Sequence, residues 1–521
     1  MRRIKPILAL ALALALTLTA CGSAGTASSA AASASSAKSN TLVYGSNDYT
    51  RINPALDEHG EINALLFDGL TGHDKDNQVV PRLAESWELD KDTNTYTFHL
   101  RQDVTWHDGE KFTAEDVKFT IEAIQDPKNE SENASNYEDV EKITVVDDHT
   151  VKFQLAEPNY AFLDYMTMAI LPKHLLEGKD LQTDDYFRHP IGTGPYKLAS
   201  WEAGQAITLE RNESYFRGKA NIQTIIFRIV PDSNAKALQL KSGELNLSQV
   251  TPKDAKTFAD AKSQTVYEMK TSDYRGILYN FANDYWKKNA DLIPAFNYAI
   301  DRQAMIDAVL LGAGEVAYGP LQRNIYNCED VEHYDYDPNK AMKTLEAAGC
   351  TKGKDGFYYR DGQKVGFVLS VGSGDQVRLD MAQIAAQQLK AVGVDVTVDV
   401  PAQVDWGGQE AYLIGWGSPF DADDHTYKVF GTGKGSNYSS YSDKLVDQYL
   451  TEARQTEDTQ KRKEAYAKFQ KELAKHPAYT FFCYIDAFYV ADNSLKGITP
   501  DTVLGHHGVG IFWNVLDWTL E

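Results

Sequence analysis

The chain has 521 residues, with 52 basic against 74 acidic side chains and a formal net charge of −22. That balance excludes nucleic acid as a partner and disfavours both polyanionic ligands and a surface lying flat on anionic lipid. Four cysteines with no C-x-x-C and no zinc-type spacing argue against a structural metal centre.

Arg2, Arg3 and Lys5 precede an apolar run from Ile7 to Ala20, which closes in Leu18-Thr19-Ala20-Cys21-Gly22-Ser23. A basic start, a short apolar core and small residues at its end form an export signal over 1–20, too short for a comfortable membrane span. Leu-x-Ala-Cys resembles the bacterial lipobox, which implies that Cys21 becomes the lipidated first residue of the mature protein. The alternative is an ordinary secretory signal with an incidental cysteine. From Gly22 to Asn40 nearly every residue is Ser, Ala, Gly or Thr, so 21–40 reads as a flexible, solvated linker. The folded body starts near Thr41, and about 480 residues suffice for two or three lobes.

Tyr96, Phe98 and Leu100 alternate with polar residues after the turn-like Asp90–Asn94, and Asp108-Gly109 follows Val104 and Trp106, so 95–112 reads as strand and hairpin. Thr113 is an N-cap with Asp116 three residues on; Val117, Ile121 and Ile124 form the buried stripe of the helix, which Asp126-Pro127 ends. Ile225, Phe227 and Ile229, a break at Pro231-Asp232, a helix through Ala235 and Leu238, then Gly243, Leu245 and Leu247 spell a βαβ unit. Val365, Phe367, Leu369 and Val371, a helix with Leu379, Ala382, Ala386 and Leu389 on one face, Gly393, then Val394, Val396, Val398 and Val400 spell another. Two separate α/β sheets imply two lobes, with a ligand in the crevice between them. In an oxidising compartment Cys328 and Cys350 can close a loop worth roughly 3 kcal/mol, if their Cα separation allows it. Cys483, inside Phe481-Phe482-Cys483-Tyr484, reads as a buried strand thiol.

Several longer runs carry a resemblance. Arg82-Leu83-Ala84-Glu85-Ser86-Trp87-Glu88, Tyr96–Arg101, Val104–Val117, Gly192-Thr193-Gly194-Pro195-Tyr196, Ala299-Ile300-Asp301-Arg302, Tyr336–Ala341 and Gly415-Trp416 resemble, in order, the signature of the extracellular solute-binding proteins of family 5. These are the peptide and nickel receptors of ABC importers. The resemblance implies an α/β fold of periplasmic-binding-protein type II, a Venus flytrap with two α/β lobes plus an inserted domain (cluster C). Residues 41–66, 188–280 and 492–521 would form lobe I, 67–187 the inserted domain II, and 281–491 lobe III. It implies a monomeric, non-enzymatic lipoprotein without cofactor, held to the cell membrane on its outer face or in the periplasm. Its partners would be a peptide or peptide-like solute, a permease pair and cytoplasmic ATPases. Trp87, Trp106 and Phe112 have core spacing, so most of the signature marks scaffold.

No G-x-S-x-G, H-E-x-x-H or Walker loop is present. Asp421, Asp423 and Asp424 would serve a secreted glycoside hydrolase only as a remote alternative. In peptide-binding relatives the loop after Gly-Trp carries an aspartate that pairs with the ligand α-amino group. Here Asp421-Ala422-Asp423 lies on the family's Asp-Pro-Asp and the anchoring aspartate falls near Pro419, so Asp421 or Asp423 replaces it or the ligand lacks a free N-terminus. Trp416 is a stacking candidate against packing, and Glu58 and His59 are contacts against a surface turn. Arg275 is a carboxylate partner against an interdomain ion pair, and Tyr438 and Tyr441 are cleft tyrosines against packing ones. His506, His507 and His425 raise a second function, nickel or metal-chelate capture, because neutral imidazole suits nickel. Adjacent histidines on an extended segment face opposite sides, so at most one of His506 and His507 would serve, although Gly505 and Gly508 suggest a turn. Peptides or peptide-like solutes are the first expectation; opines, glycopeptides and short sugars stay open.

Overall fold

The structure, a computed structural model, describes residues 40–56 and 60–521. The export signal, Cys21 and the linker up to Ser39 lie outside the described residues, and so do Glu58 and His59. The chain enters through β1 (Thr41–Ser46) and then builds a four-stranded antiparallel sheet from β2 (Ala84–Asp90), β3 (Thr95–Leu100), β4 (Val140–Asp147) and β5 (Thr150–Leu155), in the order β2-β3-β5-β4. Helix α1 (Ala114–Gln125) starts in a capping box between Thr113 and Asp116 and packs fully buried Val117, Ile121 and Ile124 into the same core as Phe98, Val151 and Phe153. Each such aliphatic side chain contributes about 1.5–3 kcal/mol on burial.

The hairpin β6 (Tyr196–Glu202) and β7 (Ala206–Arg211) leads to β8 (Thr224–Ile229), α2 (Ser233–Ser242) and β9 (Leu247–Val250). Asp232 caps α2 by accepting from Ala235 N at 2.7 Å, and Gly243 ends it at φ 76. Ala237 and Leu240 are the buried residues of α2, whereas Leu238 is exposed, so the helix is rotated from the expected phase. β1 lies between β8 and β9, parallel to both, so α2 crosses over one strand.

Next come β10 (Gln264–Tyr279), β11 (Gly366–Ser370), α3 (Gln376–Ala391), β12 (Asp395–Asp399) and β13 (Ala411–Trp416). α4 (Lys444–Arg454) and α5 (Thr459–Lys475) precede β14 (Tyr479–Asp492). β11 and β12 pair in parallel as the crossover requires, over buried Met381, Ala382, Ala385 and Leu389 of α3. The expectation of two separate sheets is corrected: one sheet runs β12-β11-β13-β10-β14-β9-β1-β8-β7-β6, with Gly314–Val316 paired to β14. The reason is length, since β10 has 16 residues and β14 has 14, and they pair antiparallel from one core into the next. Separate hydrophobic cores flank the two ends of this sheet. The ladder slips between Lys270 and Tyr274 and again at Arg275–Gly276, so the strand bends where it passes from one core to the other.

The possible Cys328–Cys350 pairing is not made, and Cys328, Cys350 and Cys483 are free. Cys350 is buried in the core with Tyr358 and Leu345, whereas Cys328 lines a separate cavity on a loop held by its N–H to Gln470 Oε1 at 3.1 Å.

Candidate ligand-binding site

The slip in β10 frees backbone groups that the C-terminal segment takes up. Leu504 N donates to Lys270 O at 2.8 Å, and Ser272 N donates to Leu504 O at 2.9 Å. The chain then turns sharply, with Gly508 N donating to Gly505 O at 3.0 Å and His507 in the left-handed region at φ 57. Left-handed backbone breaks the alternation of an extended segment. The His506 and His507 rings therefore meet, with centroids 3.8 Å apart, in the turn that Gly505 and Gly508 suggest rather than on opposite sides of an extended segment.

Beneath them lies Asp273, fully buried in the slipped stretch of β10. Its Oδ1 accepts from His506 Nδ1 at 2.9 Å and from Arg275 Nη1, and its Oδ2 accepts from His507 N at 3.0 Å. Burial alone would raise its pKa, but Arg275 and then His506 outweigh it and hold the carboxyl well below the usual carboxylate range. A carboxylate only accepts, so His506 Nδ1 carries the proton and coordination by that ring runs through Nε2. Desolvation first, and the neighbouring His506 second, bring the His507 pKa down to about 2, so its imidazole is neutral at any physiological pH. Candidate ligand atoms of Asp273, His506 and His507 lie within 4.8 Å of one another. A neutral His507 imidazole beside a His506 ring oriented by a buried carboxylate offers nitrogen donors that suit nickel, copper or zinc.

Two cavities meet at this turn. One, of about 160 Å3, is lined by His506, His507, Trp416, Tyr438, Arg378 and Glu132. The Trp416 ring lies 6.2 Å from His506 at 30°, and Trp406 stacks on Tyr438 at 4.5 Å and 26°. Arg378 of α3 comes in over Gly415, where any Cβ would collide with the guanidinium groups of both Arg275 and Arg378. Such a guanidinium can hold a carboxylate by two parallel hydrogen bonds. The other cavity, of about 440 Å3, runs among Phe67–His73, Asp164–Ala169, Gly417–Phe420 with Asp424, and the segment from Leu504.

The structure places the sequence candidates unequally. Trp416, Tyr438, Asp424, His506 and His507 line one or other cavity. Asp421 instead accepts both 2.7 Å bonds of Arg462, and Asp423, 1 % exposed, accepts Tyr165 Oη at 2.5 Å beside Arg454 Nε at 3.2 Å. Half-buried Asp421 and buried Asp423 are thus ion-pair partners that line neither cavity, and the geometry lends them no support as amine anchors. His425 is withdrawn from the metal set, since it is 1 % exposed with Nε2 3.2 Å from Pro320 O, and desolvation lowers its pKa to about 4. Arg275 is the buried partner of Asp273, and Tyr441 is buried with its hydroxyl donating to His476 O at 3.0 Å. Sequence reasoning missed Asp273, Arg378, Glu132 and Trp406. For Asp273 a signal existed, because residues i and i+2 of a strand share a face and Arg275 follows at that spacing.

A pair of α/β cores joined by two long strands, with ligand-sized cavities between them, defines a type II periplasmic binding protein of Venus flytrap form. The chain belongs to the bacterial extracellular solute-binding proteins, family 5, whose middle-region model matches residues 78–438. Protein XP55 of Streptomyces lividans is 32% identical over 474 residues, 89% of this chain and 86% of that protein. The oligopeptide-binding protein AppA of Bacillus subtilis is 31% identical over 490 residues, 89% of this chain and 88% of that one. NikZ from Campylobacter jejuni, solved in complex with Ni(L-His), superposes with a TM-score of 0.85 at 36% identity, covering 92% of this chain and 99% of that one. AppA solved with a nonapeptide superposes with a TM-score of 0.82 at 28% identity, with the same coverage. The chain is thus a substrate-binding transport protein and not an enzyme, and the glycoside hydrolase alternative falls. Among the described residues no helix is long and apolar enough to cross a membrane.

Proposed function

We propose that this chain captures a small peptide-like chelate of a divalent transition metal ion and hands it to an ABC permease. The observation that carries the proposal is the His506–His507 pair set over buried Asp273. Two imidazoles supply part of a coordination sphere and the chelator completes it. A chelator carboxylate fits Arg378 in the 160 Å3 cavity, and Trp416 offers a flat face beside His506. The Ni(L-His) complex bound by Campylobacter jejuni NikZ supports this reading. Lobe I (41–66, 188–280, 492–521), domain II (67–187) and lobe III (281–491) then close about the bend in β10 and β14. The body works as a monomer, tethered through lipidated Cys21 outside the cytoplasmic membrane.

The second reading is capture of metal-free peptides. The 440 Å3 cavity extends well past the histidine pair, and AppA was solved with a nonapeptide. Thermal melting of metal-stripped protein separates the two. NiCl2 with L-histidine is expected to raise Tm, and a strong chelator or His506→Ala/His507→Ala to abolish the rise. A rise with peptide pools and none with nickel selects the peptide reading.

A further inference from the structure

The 440 Å3 cavity that His506 lines also has Arg82 and Arg217 on its wall. Arg82 is half-buried and lies over Gly72, where a Cβ would collide with it, while Arg217 is exposed. They are close enough to repel, for Arg217 stands second to desolvation among the causes that lower the Arg82 pKa. A chain of net charge −22 keeps two cations together at a cavity wall.

The carboxylates on that lining are already engaged. Asp68 accepts from Tyr215 Oη at 2.9 Å and Asp164 bonds His73 at 2.9 Å. Asp424 pairs with Lys428 at 3.2 Å, and Asp74 accepts from Asp76 N and Gln78 N at 2.9 and 3.0 Å. Asp68 attracts both arginines only through space, since its own oxygens face Tyr215 and Thr193. Among the described residues neither guanidinium forms an ion pair; Arg82 makes only a long 3.4 Å bond to His73 O, and Arg217 lies against the Tyr215 hydroxyl. Two positive charges thus face the cavity with one buried carboxylate near them. A cleft with such walls focuses field onto an incoming anion, and a guanidinium pair can grip a carboxylate through several N–H donors.

We infer that Arg82 and Arg217 form an anion subsite for a carboxylate of the captured solute, so that the ligand is an extended molecule anchored at the His506 turn and acidic at its other end. The inference rests on the capture reading above and names the chemistry of the ligand. The arginines act by charge and hydrogen bonding and touch no metal.

The test compares histidyl-glutamate and histidyl-glycyl-glutamate with their glutamine counterparts, each with and without nickel, by calorimetric titration of the mature protein. Wild type is expected to prefer the acidic peptides about tenfold or more, as charge-assisted bonds do. The preference should shrink as salt rises, since the pair is partly exposed. Arg82→Gln/Arg217→Gln should erase it while leaving Tm and the affinity for nickel with L-histidine unchanged; Arg217→Gln alone, at an exposed position, should erase part of it. Nickel-dependent binding without acidic preference, or no binding of any of these peptides, overturns the subsite. An acidic preference that persists without nickel keeps the subsite and removes the metal reading.

Discussion

The loop Gly417–His425 and the segment Leu504–Gly510 both carry polar side chains that chemistry would make ligand contacts, and they do different work. The loop is rich in aspartates, yet Asp421 and Asp423 turn inward to Arg462 and Arg454, which hold the loop from inside the protein. The C-terminal segment has two histidines, and a buried carboxylate from another strand holds one ring and one backbone N–H while both rings line a cavity. A charged group whose partners lie inside the protein is scaffold. A polar group oriented from behind and bordering empty volume is a site.

Substitutions can break this contrast. Asp423→Ala should cost the most, about 3 kcal/mol in urea denaturation, because Arg454 keeps only Asp139 at 3.1 Å and Glu138 at 3.7 Å. Weakened ligand capture with unchanged stability would instead make the loop a binding element. On the site side, Glu61 accepts from Gly510 N at 3.1 Å and from Tyr489 Oη at 3.0 Å, and so holds the segment just past the histidines. Burial raises its pKa from 4.5 to about 7. The folded state then keeps a proton that the unfolded chain releases above pH 4.5, so stability is full below that pH and falls as pH rises through 7. The loss is about 3 kcal/mol, and Glu61→Gln should flatten the slope of denaturation midpoint against pH.

Trp416→Ala is expected to weaken capture about tenfold with Tm nearly constant, because the ring is half-buried beside His506. A large fall in Tm would move Trp416 into the scaffold class. Smallest of all, Lys91→Ala removes an exposed pair with Glu457, the two side chains 58 % and 60 % exposed, and should leave the urea midpoint unchanged. A clear shift of that midpoint would show that this exposed pair contributes to the fold as the buried pairs do.

Much of the fold was legible. The capping box at Thr113, the alternation at Val365–Val371 and the glycine stop at Gly243 are local patterns that backbone geometry enforces, and each stands in the structure. The fusion of two expected sheets was not legible, because no periodicity distinguishes a strand of 16 residues that serves one core from one that serves two. Within the site, Trp416 and the histidine pair were visible as residues. The meeting of the rings depends on one left-handed backbone angle at His507, a residue type that gives no warning of it. Arg275 two positions on hinted at an ion pair for Asp273, but its place behind the histidines was hidden because they are 233 and 234 positions away.

By itself the sequence determined the family, the helices with their caps and the two crossover units, since these follow from short-range pattern and from motifs in register. Only the tertiary structure decided which carboxylates are spent on arginines and which one backs a pair of imidazoles. That choice depends on desolvation and on distance in space between segments from 31 to 234 positions apart along the chain, and charge partnership in space has no local signature.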